Sequence, residues 1–132
     1  MRLISDEALA VVTIYQEARG ESFTGQCAVG EVIRNRMARR YSSDGTVAGT
    51  VCRNWQFSGW NNGDPNRIPS LMIDDTSPIV ANCVKAWRTS QATTYARGAV
   101  LYYNPASVKT PPDWAKEEKH VATIGAHKFF ID

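Results

Sequence analysis

Two stretches of helical spacing, joined by only a few residues around Gly20, constrain this chain more than any other feature. From Asp6 to Ala18 the residues Ala8, Val11, Val12, Ile14, Tyr15 and Ala18 cover a broad apolar arc, while Asp6, Ala10, Thr13 and Glu17 share a narrow opposite stripe. Ser5 is placed to cap this helix, with Asp6 and Glu7 in a first turn whose dipole favours negative charge. Gly20 marks its end, and Ser22 or Thr24 opens a second helix running to about Arg39. There Val29, Val32, Ile33 and Met37 form the apolar arc, with Glu31, Arg34, Asn35 and Arg39 mostly outside it. A connection this short makes the pair a tight helical hairpin.

Glu17 stands where that hairpin bends. In the last turn of a helix a carboxylate faces the partial negative charge of the free carbonyls, so a purely structural design would favour lysine. If its small, partly polar stripe floors a partly apolar cleft, desolvation adds to the dipole and keeps the acid protonated near neutrality, as a general acid requires. The competing reading is a solvated glutamate at a helix end. Arg36 raises a second question, because it falls inside the apolar arc of its helix. A buried guanidinium needs a carboxylate or several carbonyls, so pairing with Glu21 or fixing the loop that carries Glu17 is expected. The alternative is a stem laid over the core with its head in solvent.

At 132 residues the chain has room for a real core, and one domain over 1–132 is expected, α+β in class and mainly helical. A net charge of +2 without a basic block argues against a dedicated nucleic-acid binder. No apolar run approaches a membrane span, so stable membrane insertion is not expected. Arg2 is followed by Asp6 and Glu7 rather than by a signal peptide's apolar core, which leaves the chain in the cytoplasm unless something releases it. Cys27, Cys52 and Cys83 are odd in number and widely spaced, and with His120 and His127 they show no metal-ligand spacing. Neither a metal nor another cofactor is expected.

Further along, Thr46 suits the cap of a short helix with Val47 and Val51 inward. The run Asn54 to Trp60 leads into a loop rich in Asn, Gly, Asp and Pro that continues to Pro69. Trp55, Phe57 and Trp60 there suit stacking on sugar faces, or else they anchor the loop. Ser77-Pro78 starts a helix to about Thr89, with Ile79, Val80, Cys83, Val84 and Trp87 on one face. Ala99 to Tyr103 reads as a short strand ended by Asn104-Pro105, and Lys109 to Lys119 as an irregular connection anchored by Trp114. Val121 to Ile124 and His127 to Phe130 flank Gly125-Ala126 as a glycine-first hairpin, giving a small antiparallel element toward the C-terminus. His127 beside that turn is either a hydrogen-bonding strut or a catalyst.

Taken in order, these pieces resemble a known family. Glu17-Ala18-Arg19-Gly20-Glu21, Gly25-Gln26, Ala28 to Ile33 and Asn35-Arg36 resemble the SleB-type cell wall hydrolases of spore germination. The likeness continues through Gln56-Phe57-Ser58, Tyr102-Tyr103-Asn104-Pro105 and Ile124 to Phe129, covering nearly the whole chain. The resemblance implies a lysozyme-like catalytic domain that acts on peptidoglycan glycan strands as a lytic transglycosylase, with Glu17 as the catalytic acid. On the substrate side it implies Gln56, Phe57, Ser58, Tyr102, Tyr103 and Asn104, to which Trp60 and His127 are added as candidates. Ser58, Tyr103 and Asn104 would orient an N-acetyl group and stabilise oxocarbenium-like charge. A hydrolysing muramidase would need a second carboxylate, for which Glu21 is poorly placed and Asp64, Asp74 and Asp75 stay open. A glycan-binding module that keeps the cleft without catalysis is the remaining alternative. Family members acting in spores usually carry an export signal and a binding module. Their absence suggests a phage endolysin, a monomer released to the wall through a holin.

Overall fold

The computed structural model describes residues 4–53, 56–65, 67–74 and 76–132, so Arg2, Trp55 and Asp75 lie outside the described residues. The hairpin is formed by α1 (Asp6–Ala18) and α2 (Phe23–Arg39). Ser5 Oγ accepts the Ala8 N–H at 3.1 Å, and of the two candidate caps for α2 it is Ser22 that accepts the Gly25 N–H at 3.2 Å. At the corner α1 ends on Arg19 in ordinary right-handed geometry, and Gly20 takes no positive φ. What turns the chain is the Ala18 carbonyl, which accepts the Glu21 N–H at 2.9 Å and Gln26 Nε2 at 3.2 Å.

α5 (Pro78–Ser90) packs along both helices of the hairpin. A Cβ on Gly30 would stand 2.8 Å from Ser90 Oγ, so α2 and α5 meet at a separation that only glycine permits. Between them lies the main core, with Leu9, Ile14, Val29, Ile33, Val80, Cys83 and Trp87. α3 (Val47–Val51) is capped by Thr46 as expected and adds Val47 and Val51 to that core. α4 (Arg67–Leu71) corrects the loop reading of the Pro69 region. Pro69 is its third residue, where a missing N–H removes no helical hydrogen bond. Among the described residues no helix is long and apolar enough to cross a membrane.

Covering α1 and α2 from several sides alters what their polar stripes do. Ala10 and Thr13 are fully buried, so the stripe leading to Glu17 is core rather than cleft floor. Glu31, expected outside the apolar arc, is 3% exposed because it accepts Thr93 Oγ1 at 2.7 Å and the Ala96 N–H at 2.8 Å. Arg34 is half-buried, with its guanidinium 3.7 Å above the Trp87 ring. On α5 the buried line is Val80, Cys83 and Trp87, and Ile79 falls beyond its edge at 50% exposure.

The C-terminal part is a three-stranded antiparallel sheet in the order β1 (Leu101–Tyr103), β3 (His127–Phe130), β2 (His120–Ile124). β1 is shorter than expected, since Ala99 and Val100 are buried lead-in, although Val100 N–H still reaches the Phe130 carbonyl at 3.1 Å. Gly125 has φ +56° and Ala126 stays outside the left-handed region, which fits the glycine-first turn. Trp114 does anchor the irregular connection, with ring contacts to Tyr103 and Phe130 at 5.7 and 5.5 Å. β1 and β3 pair Tyr102 with Phe129, and this places Tyr102 against the His127 ring at 5.0 Å.

Candidate active site

Glu17 occupies the wall shared by two hollows. The first, of about 390 Å³, is lined by Glu17, Arg36, Gln56, Ser58, Tyr102, Tyr103, Asn104, Ser107 and His127. The second, of about 350 Å³, takes in Gln16, Glu17, Ala18, Arg19, Gly20, Glu21, Asn104, Ala126 and His127. Three residues, Glu17, Asn104 and His127, belong to both, so the hollows form one polar groove with the acid at its middle. Burial pushes the Glu17 carboxyl up to about 7, the charge of Asp64 adds to the rise, and Arg36 opposes it. At neutral pH a large fraction of the molecules therefore carries the proton that a general acid needs.

Arg36 is 4% exposed and does not snorkel. Its Nε donates to the Val100 carbonyl at 2.6 Å and its Nη1 to Gln56 Oε1 at 3.0 Å, with the Phe57 ring 4.9 Å away. Of the two expected roles, pairing with Glu21 is not the one found. Instead Glu21 Oε1 accepts the Ala126 N–H at 2.9 Å and lies 3.3 Å from His127 Nδ1. What the guanidinium gives the site is a fixed positive charge within electrostatic reach of Glu17 and of Tyr102. The Tyr102 hydroxyl is shut off from solvent without a hydrogen-bond partner among the described residues. Burial first, then the Glu17 charge, pushes its pKa well up, so it remains a neutral phenol able to donate.

Of the substrate-side candidates, Gln56, Ser58, Tyr102, Tyr103, Asn104 and His127 are brought together around the first hollow. Phe57 and Trp60 are not. Phe57 is 1% exposed beneath the Arg36 guanidinium, where it supports the charge rather than a sugar. Trp60 packs against the main core, and its indole N–H donates to Thr13 Oγ1 at 2.8 Å, which makes it the anchor of its loop. Ser58 is held by the 3-10 turn Ser58–Trp60, which Gln16 Nε2 fastens to α1 through the Gly59 carbonyl at 3.2 Å. Asn104 Oδ1 is engaged by the Ala106 N–H at 2.9 Å, so its amide nitrogen is the group left to donate.

Among the second-carboxylate candidates, Asp74 is exposed and turned onto Thr76. Among the candidates within the described residues, Asp64 is the one in electrostatic reach of Glu17. Sequence reading missed the lining roles of Arg36, Gln16, Glu21 and Ser107. For Arg36 a signal existed, a cation in an apolar arc; for the others the approach of remote segments left none.

A family model described as cell wall hydrolase matches residues 20–130. The chain belongs to the cell wall hydrolase family. Among curated proteins, the spore cortex-lytic enzyme of Bacillus subtilis is 27% identical over 95% of this chain. That of Oceanobacillus iheyensis is 29% identical over the same share. This chain spans 37% and 41% of their lengths, respectively. The crystal structure of the catalytic domain of the Bacillus cereus SleB protein superposes with TM-score 0.73, covering 98% of this chain and 94% of that one at 24% identity. The catalytic domain of the germination-specific lytic transglycosylase SleB from Bacillus anthracis gives the same TM-score at 25% identity, covering 95% and 93%. The fold is therefore the lysozyme-like one of SleB catalytic domains, mainly helical with a small antiparallel sheet. A member of the cell wall hydrolase family, the chain belongs to an enzyme family, and the likeness to the B. subtilis protein covers enough of it to include Glu17.

Proposed function

We propose that this chain degrades peptidoglycan as a lytic transglycosylase, cleaving the bond between N-acetylmuramic acid and N-acetylglucosamine with Glu17 as acid and then base. The carrying observation is the setting of Glu17, half-buried where two hollows meet and holding its proton near neutrality. Protonated Glu17 gives its hydrogen to the bridging oxygen as the C1–O bond breaks, releasing the glucosamine side as an alcohol. The resulting carboxylate takes the proton of the muramyl 6-hydroxyl as that oxygen attacks C1, which restores the acid and leaves a 1,6-anhydro sugar. Arg36 favours the carboxylate stage, and the neutral Tyr102 phenol and the Asn104 amide supply donors toward the sugar. The solved B. anthracis relative is named a lytic transglycosylase, which supports the same outcome.

Asp64 favours a second reading. A carboxylate in electrostatic reach of Glu17 is what a hydrolysing muramidase uses to activate water. Mass spectrometry of purified peptidoglycan digested by wild type and by Glu17→Gln separates these readings. Anhydromuramic products from wild type and none from the variant support transglycosylation. Reducing ends alone would assign the hydrolase, and unchanged lysis by Glu17→Gln would remove Glu17 from the mechanism. An endolysin role is the finer part of this proposal, tested by expression with and without a holin; lysis only when both are made supports it.

A further inference from the structure

The proposed chemistry leaves one partly buried pair unused. Glu21 opens the corner between α1 and α2, and His127 begins β3, yet Glu21 Oε1 lies 3.3 Å from His127 Nδ1. That oxygen also accepts the Ala126 N–H at 2.9 Å, and a Cβ on Gly125 would stand 2.8 Å from it. Gly125, at φ +56°, turns the hairpin, and a side chain there would press on the carboxylate. The imidazole is clamped edge-on by Tyr102 at 5.0 Å and Phe129 at 6.2 Å, so its orientation is set.

These contacts bias where the ring carries its hydrogen. Nδ1 is closed off from solvent and makes no hydrogen bond among the described residues, but the Glu21 carboxylate, 3.3 Å away, is the charged group beside it. A carboxylate on that side favours the tautomer protonated at Nδ1, which leaves the lone pair on Nε2. Burial lowers the His127 pKa and outweighs the opposing pull of Glu21, so the ring is neutral at neutral pH. Nε2 makes no hydrogen bond to the described residues, and His127 lines both hollows beside Glu17.

We propose that Glu21 and His127 form an orienting pair that presents imidazole Nε2 to the groove as the acceptor for a glycan hydroxyl next to the bond Glu17 cleaves. The proposal rests on the groove being the glycan site. In it His127 touches substrate, and Glu21 is a positioning residue that sets the tautomer and ties the β2–β3 turn to the helix corner.

Two variants separate this role from a purely structural one. Asparagine places an amide near Nδ1 and has nothing at Nε2, whereas glutamine reaches toward the Nε2 position. Affinity for peptide-free peptidoglycan glycan chains is measured by calorimetry in the Glu17→Gln background, where no turnover disturbs binding. His127→Asn is expected to keep its melting temperature and to bind about tenfold more weakly, the loss of one hydrogen bond at the upper end of its usual worth, with His127→Gln recovering part. Unchanged affinity in His127→Asn, or a loss that only follows a fall in melting temperature, would overturn the pair's role. Two-bond proton–nitrogen spectra of the wild type should show Nδ1 protonated and Nε2 bare at neutral pH, and the opposite tautomer would also overturn it. Both readouts are independent of lysis. If Glu17→Gln still lyses walls, the reading of Glu17 falls while these measurements continue to judge the pair.

Discussion

Glu17 gains a proton on folding that the unfolded chain would already have lost at neutral pH. Its pKa rises from 4.5 to about 7, so between those values the folded state binds the proton more strongly. Stability contributed by the protonated side chain is complete below about 4.5 and declines as pH rises through about 7. Glu17→Gln should therefore melt higher than wild type at pH 8, by up to about 3 kcal/mol of stability, and equal it near pH 4.5. Thermal unfolding at the two pH values checks this, and a constant difference would show that ionisation is not the cause. Wall lysis should fall with the same group as pH passes about 7, since the carboxylate cannot start the reaction. Arg36 opposes the rise, so Arg36→Gln should move that alkaline limb upward while lowering stability, because the Val100 carbonyl loses its charged donor. A limb that stays in place would remove Arg36 from the electrostatics of the acid.

At the scale of elements, close approaches decide more than propensity does. Gly30→Ala gains helix propensity, yet its methyl meets Ser90 Oγ, which already donates to the Trp87 carbonyl and accepts Arg34 Nε. Ser90 has little freedom to give way. A net loss of about 1–2 kcal/mol is expected in chemical denaturation, against the usual gain for Gly to Ala in a helix. Gly59→Ala would collide with the Gln16 side chain and break the bond that fastens the Ser58 turn to α1. Its melting temperature should change little while kcat/KM on soluble glycan falls severalfold, about 1 kcal/mol of lost orientation. Normal kinetics would mean that the turn's position does not matter to turnover. The helices α1, α2, α3 and α5 were legible beforehand: Ser5, Ser22, Thr46 and Pro78 mark starts that the structure uses. α4 was not, because Asn, Gly, Asp and Pro around it carry turn signals stronger than one helical turn's worth of spacing.

Across the whole molecule, α2 is the element that joins helices to sheet. Glu31 holds Thr93 and the Ala96 N–H, Asn35 Nδ2 reaches the Ala99 carbonyl at 2.9 Å, and Arg36 reaches that of Val100 at 2.6 Å. These bonds fix the chain just before β1 and so place Tyr102 near Glu17. Glu31→Ala should cost about 2–3 kcal/mol by stranding the buried Ala96 N–H, and should weaken lysis by loosening that placement. An undiminished stability would show that the sheet is held elsewhere. Local chemistry written in the sequence determined the hairpin, its caps, the glycine-first turn and the position of Glu17 at a helix end. These depend on neighbours within a turn or two, which spacing records. Only the tertiary structure decided that Glu31 and Thr13 are buried, that Trp60 and Phe57 support the core, and that Glu21 meets His127. Such contacts join segments far apart in the chain, and whether a polar group faces water or a partner is set by what folds over it.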